Sequence, residues 1–115
     1  MGDKVKWAAV DLDGTLAVYE PGVWPDIGPM IPEVAQHLRG WLAAGNRASI
    51  FTSRLHGTSR DLMIVRIQRW LVDNNLPRLE VTDVKHPKFT EFWDDKAVRV
   101  MHNEGEFCEG LCDER

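Results

Sequence analysis

Short apolar runs alternate with amphipathic stretches along most of the chain. Residues 5–10, VKWAAV, form an apolar run that ends at an acidic turn, which is typical of a buried strand in a parallel sheet. Later apolar runs predict four further short strands, at residues 48–51, 79–82, 89–93 and 98–101.

Helical spacing of apolar side chains fills the intervals between the first three predicted strands. The first helix is expected from Pro32, which a first helical turn tolerates, to a stop signal at Gly45. The second is expected to begin at Thr58 and Asp61, which have the spacing of a capping box, and to end near residues 74–77.

This alternation of strands and helices favours right-handed crossovers and a parallel sheet. We therefore predict one α/β domain over residues 1–115: a three-layer Rossmann-like fold with helices on both faces of the sheet. Roughly residues 17–31 are rich in proline and glycine and predict a flap-like loop. We expect no cap domain, because 115 residues leave room for little beyond this loop.

Composition narrows the classes of partner. A formal net charge of −4 disfavours nonspecific binding to nucleic acid or anionic membranes. We expect a cytoplasmic protein with no membrane partner, because the first residues lack a signal peptide's apolar core and no apolar run approaches the roughly 20 residues of a membrane span. Cys108 and Cys112 are expected to be reduced and do not indicate zinc. The pattern does not indicate an oligomeric state.

Polar side chains follow four of the predicted strands at the point where each strand ends. They are Asp11 and Asp13 after the first strand, Thr52, Ser53 and Arg54 after the second, Lys85 after the third, and Asp94 and Asp95 after the fourth. Because the carboxyl ends of parallel strands meet at one edge of a sheet, we expect these side chains to form one site.

The chemistry of this set indicates phosphoryl transfer. Several carboxylates brought together repel one another unless a cation lies between them, and oxygen ligands without histidine or cysteine favour Mg²⁺. The hydroxyl of Thr52 and the ammonium of Lys85 can hold phosphate oxygens as charge develops.

The two aspartates of the acidic turn suggest separate catalytic roles. The carboxylate of Asp11 is suited to attack phosphorus and form an aspartyl-phosphate, while Asp13 can give a proton to the leaving group and later take one from water. Gly14 permits a sharp turn that brings backbone N–H groups toward the phosphate.

DLDGTL, IFTSR, a lysine and WDD, in this order, resemble the four-motif signature of the haloacid dehalogenase superfamily of phosphatases. The segment VTDVKHPKFTEFWDDKAV is similar to the ends of small, capless, phage-type members known only as hydrolases. The resemblance covers most of the chain and implies a Rossmann-like sheet. The dehalogenase branch lacks an acid/base aspartate at the position of Asp13, so its presence favours phosphate chemistry.

The resemblance also assigns residues to roles. It implies Asp11 as nucleophile and Mg²⁺ ligand, Asp13 as acid/base and ligand through its backbone carbonyl, and Thr52 as phosphate binder. It implies Asp94 and Asp95 as the metal pair, without saying which of them binds Mg²⁺ directly. Lys85 and Lys88 both precede this pair, and Lys85 is preferred because it directly follows the predicted third strand.

A capless site suits a phosphorylated small molecule or a phosphorylated nucleic-acid end, and we favour a nucleotide or a nucleic-acid end as the substrate. Gly14, Ser53 and Arg54 are candidate substrate contacts together with Thr52 and Lys85. His56 and Arg60 are placed to extend a basic rim, and Trp24 lies within the flap.

Two alternatives have other functions. A receiver domain of a signalling protein uses the same residue types as a phosphoacceptor switch, but its phosphoaccepting aspartate follows the third strand. The order here is DxD, Thr, Lys, DD, which favours the phosphatase. The second alternative is a catalytically idle module that binds Mg²⁺ or phosphate.

Overall fold

The centre of the protein, seen in a computed structural model that describes residues 4–57 and 59–108, is a parallel sheet of four strands. The strands are β1 (Trp7–Val10), β2 (Arg47–Phe51), β3 (Val81–Thr82) and β4 (Glu91–Trp93), in the order β3-β2-β1-β4. Helix α1 (Pro32–Ala43) connects β1 to β2, and α2 (Arg60–Asp73) connects β2 to β3. A flap rather than a cap domain lies between β1 and α1. The prediction of an α/β Rossmann-like fold is confirmed.

One hydrophobic core lies between the helices and one face of the sheet. The strands contribute Ala8, Val10 and Ile50, whose side chains share a face because they alternate along each strand and are paired in register. Leu38 of α1 and Ile67 of α2 are fully buried in the same core. Burial of these side chains in one core holds both helices against the sheet. The ends of the strands are therefore held in fixed positions.

The opposite face of the sheet is covered by aromatic side chains. Trp7 and Phe51 point to this face, where the Trp7 and Phe89 rings lie 4.8 Å apart and the Phe51 and Phe92 rings 5.9 Å apart. Within the described residues this aromatic layer takes the place of the helices expected here. The connection from β3 to β4 contains no helix that could cover the face.

Several details differ from the predicted elements. The expected fifth strand is present as β5 (Arg99–Val100), but it pairs antiparallel with β6 (Phe107–Cys108) in a separate two-stranded sheet. Its pairing partner follows a reverse turn in sequence, so local pairing replaces addition to the main sheet. The expected capping box of Thr58 and Asp61 is wrong, because Ser59 is the N-cap of α2, without a side-chain hydrogen bond, and Thr58 lies outside the described residues.

Cys108 is disulfide-bonded, so the expectation of a reduced thiol is wrong there; sequence spacing alone does not fix the redox state of a cysteine. Cys112 lies outside the described residues. None of the helices described is long and apolar enough to cross a membrane.

Candidate functional site

The strand register brings the acidic turn beside the acidic pair. Val10 of β1 is paired with Trp93 of β4, and the Asp11 N–H donates to the Trp93 carbonyl at 2.9 Å. Asp11 and Asp94 are the next residues along two hydrogen-bonded strands. They are therefore neighbours although 83 positions apart in sequence, the difference of their numbers.

Three carboxylates form a cluster at this edge of the sheet. Oxygen atoms of Asp11, Asp94 and Asp95 all lie within 4.8 Å of one another. Asp11 is half-buried, and the other two are exposed to solvent. Three oxygen donors without nitrogen or sulfur, open on one side to water, fit a hard divalent cation that keeps several of its waters, as Mg²⁺ does.

The environment of Asp11 disfavours its charged form when no cation is bound. Its pKa is raised from 3.8 to about 6, chiefly by burial and further by the charges of Asp94, Asp95 and Asp13. A hydrogen bond of 2.9 Å from the Leu12 N–H to Asp11 Oδ1 opposes the shift. A cation in the cluster would reverse the effect of the neighbouring charges, which is the behaviour expected of a metal ligand.

Gly14 makes room for the cluster. Its φ of +86° lies in the left-handed region, and a Cβ at this position would come within 2.7 Å of Asp95 Oδ2. The Thr15 hydroxyl donates to the same carboxylate at 3.4 Å. The acidic turn and Asp95 can share this space only because residue 14 lacks a side chain.

We therefore expect Gly14→Ala to weaken Mg²⁺ binding by about tenfold or more, because the added methyl group displaces the Asp95 carboxylate. Thermal stabilisation by added Mg²⁺ measures the effect. Gly22→Ala is the matched control, since Gly22 also has a positive φ, of +92°, but nothing lies within 4 Å of its added Cβ. Equal Mg²⁺ responses in the two variants would contradict the steric argument.

Asp13 has a different partner from the other carboxylates. Its two carboxylate oxygens accept hydrogen bonds from Arg54, with Oδ2 2.6 Å from Nε and Oδ1 2.8 Å from Nη2. This side chain is therefore held outside the cluster of Asp11, Asp94 and Asp95. The metal-ligand role expected for Asp13 concerns its backbone carbonyl and stays a prediction.

Thr52 lies at the end of β2, beside the acidic turn. It is buried, its N–H donates to the Thr82 carbonyl at 3.0 Å, and its Oγ1 accepts a hydrogen bond of 3.1 Å from the Arg54 N–H. This contact caps the single 3₁₀ turn Ser53–Leu55. Because the hydroxyl oxygen is the acceptor in that contact, its proton is available to a phosphate oxygen in the cavity.

These groups line one open cavity of about 650 Å³, to which the flap contributes an exposed tyrosine and an exposed tryptophan. The lining residues are Asp11, Asp13, Gly14, Tyr19, Trp24, Phe51, Thr52, Ser53, Arg54, His56, Asp83, Asp94, Asp95 and Lys96. Of the expected basic rim, His56 is in the lining, whereas Arg60 forms an ion pair of 2.9 Å with Asp83. That ion pair raises the pKa of Arg60 and lowers the pKa of Asp83.

The lysine positions differ from expectation. Lys85 and Lys88 are not among the residues that line the cavity, and the Lys85 ammonium lies 5.2 Å from the centre of the Phe92 ring. Lys96, which the sequence reasoning missed, does line it, and its N–H donates to Asp94 Oδ1 at 2.7 Å. Its position directly after the acidic pair was the available signal. Tyr19, Phe51 and Asp83 were missed too, and nothing in their local sequence marks them.

If the cavity takes the phosphate ester expected from the sequence, Lys96→Met should raise the KM for that ester several-fold more than Lys85→Met does. Lys96 lines the cavity, whereas Lys85 is not among its lining residues and its ammonium lies over the Phe92 ring. Steady-state kinetics of both variants at one saturating Mg²⁺ concentration would test this. A larger effect of Lys85→Met would return the phosphate-binding role to Lys85.

Comparison with known proteins supports the fold alone. No family model matches the chain, and no curated protein matches it. Among solved structures, it is similar to a conserved protein from Bacteroides thetaiotaomicron, with a TM-score of 0.61 and 18% sequence identity over 82% of this chain and 78% of that one.

Proposed function

We propose that this protein is a Mg²⁺-dependent phosphatase that acts through an aspartyl-phosphate on Asp11. The observation that carries the proposal is the cluster of Asp11, Asp94 and Asp95, whose oxygens lie within 4.8 Å of one another at the carboxyl ends of β1 and β4. Asp13 and Thr52 line the same cavity. Cation ligands, a nucleophile, an acid/base and a phosphate-binding hydroxyl are thus available together.

Asp11, Asp94 and Asp95 would hold the cation, which when bound supplies positive charge that offsets the carboxylates and the phosphate. In the first step an oxygen of Asp11 attacks phosphorus, while the bond to the leaving oxygen breaks and that oxygen takes a proton from Asp13. In the second step Asp13 takes a proton from water, whose oxygen attacks the same phosphorus. Inorganic phosphate leaves, and the Asp11 carboxylate is restored.

The hydrogen bonds of Asp11 and Thr52 suit the roles proposed for them. The Leu12 N–H holds Oδ1 of Asp11, which orients the carboxylate and leaves Oδ2 for attack. The Thr52 hydroxyl lies at the neighbouring strand end and can donate to a phosphate oxygen as charge develops there.

We propose a phosphate on a nucleotide or a nucleic-acid end as the substrate, because the cavity is open and the exposed Trp24 indole lines it. An aromatic ring at the edge of a phosphate site can stack on a base, a contact worth about 1–3 kcal/mol. We expect a higher kcat/KM for a 3′- or 5′-phosphorylated oligonucleotide or a mononucleotide than for a hexose phosphate, measured at one salt concentration. A clear preference for the hexose phosphate would refute this substrate class.

The function itself is tested by Mg²⁺-dependent release of phosphate from an activated aryl phosphate. Turnover that requires Mg²⁺ and is lost in Asp11→Asn supports the phosphatase. A stable phosphoprotein without turnover, formed from a small phosphodonor such as acetyl phosphate, would instead identify a phosphoacceptor switch. Mg²⁺ binding with neither reaction would identify an idle module.

A further inference from the structure

Arg54 is a buried cation whose hydrogen bonds are made within the protein. Its side chain is only 5% exposed. Besides the two contacts with Asp13, Nη1 donates to the Pro25 carbonyl at 2.9 Å and Nη2 to the Asp26 carbonyl at 3.0 Å. Nη1 also lies 4.0 Å from the sulfur of Met63. The five N–H groups of a guanidinium are thereby all directed at protein acceptors.

The contacts of Arg54 join two parts of the molecule that lie far apart in sequence. On one side is the carboxylate of Asp13, in the acidic turn. On the other side are the backbone of the flap at Pro25 and Asp26 and the Trp24 ring, whose centre is 4.8 Å from the guanidinium carbon. A planar, fully engaged guanidinium fixes its acceptors in one geometry.

A second arginine also holds the flap but does not reach the acidic turn. Arg66 pairs with the Asp26 side chain at 2.9 Å, and both side chains are largely exposed. Exposed pairs of this kind contribute little to stability, typically about 0–1 kcal/mol. Of these two arginines, the buried one contacts both the flap and Asp13, and the exposed one contacts the flap alone.

We propose that Arg54 is a positioning residue that couples the flap to Asp13. The same guanidinium holds the Asp13 carboxylate in one orientation and the Trp24–Asp26 backbone in one place, so a change at either partner disturbs the other. The inference rests on the proposed function for the role of Asp13, and it assigns Arg54 a task other than the substrate contact expected from the sequence. Flap position and acid/base geometry then change together.

The test compares amide hydrogen exchange in the flap among variants of the full chain. The Val23 and Asp26 N–H groups make backbone hydrogen bonds of 3.3 and 2.7 Å within the flap and report its order. Asp13→Asn removes the charge and one acceptor from Arg54 without touching the flap directly. We expect both amides to exchange several-fold faster in Asp13→Asn, as they do in Arg54→Lys.

Asp83→Asn is the matched control, because Asp83 also lines the cavity and pairs with an arginine, but that arginine is Arg60. It should leave flap exchange unchanged, and Arg66→Met should change it less than Arg54→Lys. Flap exchange in Asp13→Asn equal to that of the wild type would overturn the coupling. So would equal acceleration in Asp83→Asn, which would indicate a general loosening.

A kinetic measurement separates this inference from the proposed function. With a working phosphatase, Arg54→Lys should lower kcat more for an alkyl phosphate, whose leaving group needs a proton, than for 4-nitrophenyl phosphate. Uniform loss with both substrates would contradict the positioning role. If the protein has no phosphatase activity, the proposed function fails, while the exchange data still decide whether Asp13 and the flap are coupled.

Discussion

Asp11→Asn is expected to abolish turnover and the phosphoenzyme together, with a loss on the order of 10⁴-fold or more in kcat. An amide of nearly the same shape is a poor nucleophile, and its oxygen can still accept the Leu12 N–H, so the site keeps its form. Phosphate release and mass spectrometry of the acid-quenched protein measure the two effects. Persistent phosphoenzyme at wild-type levels would place the nucleophile elsewhere.

Measuring the stability of Asp11→Asn tests whether its loss of activity comes from the missing nucleophile and not from unfolding. Burial and neighbouring carboxylates raise the pKa of Asp11 to about 6, so the ionised group destabilises the metal-free fold above that pH. Asp11→Asn should therefore be at least as stable as the wild type at pH 7 without Mg²⁺. An inactive variant that is also unfolded would not report on nucleophilicity, and Asp11→Glu would then be the variant to compare.

Asp13→Asn, in the same turn as Asp11, is expected to lose the acid/base group and keep the nucleophile. It should reduce the rate by about 10²–10⁴-fold with poor leaving groups, which need a proton, and by less with activated ones. The variant also disturbs the hydrogen bonds to Arg54, so the dependence on the leaving group, rather than the absolute rate, identifies the acid. An equal loss with every leaving group would argue against this role.

The sequence predicted the part of the fold that depends on local pattern. Apolar runs and helical stripes located β1, β2 and both helices within a few residues, since burial of one face imposes the spacing. It did not predict the aromatic layer opposite the helices. Phe89 lies in the connection before β4 and Phe92 within β4, and only the folded sheet brings their rings together with those of β1 and β2.

The candidate site likewise has one part that the sequence predicted and one part that it did not. The meeting of Asp11 with Asp94 was expected from the rule that the carboxyl ends of parallel strands lie at one edge of the sheet, whereas the position of β4 beside β1 was not predicted. The partner of Asp13 was not, because Arg54 is a basic residue in a polar loop, a pattern typical of a solvent-exposed rim. Its burial depends on the flap closing over it, which no local signal in the sequence encodes.

Loss of the acidic pair is expected to have the second-largest effect. Asp94→Ala and Asp95→Ala should each raise the Mg²⁺ concentration needed for half-maximal activity by roughly 10-fold to 100-fold, because each removes one of three clustered oxygen donors. Mg²⁺ titrations of activity and of thermal stability measure this independently. Asp83→Ala is the matched control, as Asp83 lines the cavity but lies outside the cluster.

The pH dependence gives a second readout of the same cluster. If Asp11 binds Mg²⁺ as proposed, a proton competes with the metal for it, so Mg²⁺ affinity should fall as the pH drops below about 6. Without Mg²⁺, this group makes the fold less stable as the pH rises from 3.8 to about 6, because the folded state binds the proton more tightly than the unfolded chain does.

Asp94→Ala should shift the pH dependence of Mg²⁺ affinity and that of metal-free stability to lower pH. The reason is that the charge of Asp94 is one of the causes that raise the pKa of Asp11. It should also make the metal-free protein more stable near pH 7 while the stabilisation gained from Mg²⁺ shrinks. The two changes have opposite signs and arise from the same carboxylate. A variant that keeps the Mg²⁺ dependence and pH profile of the wild type would show that Asp94 does not belong to the metal site.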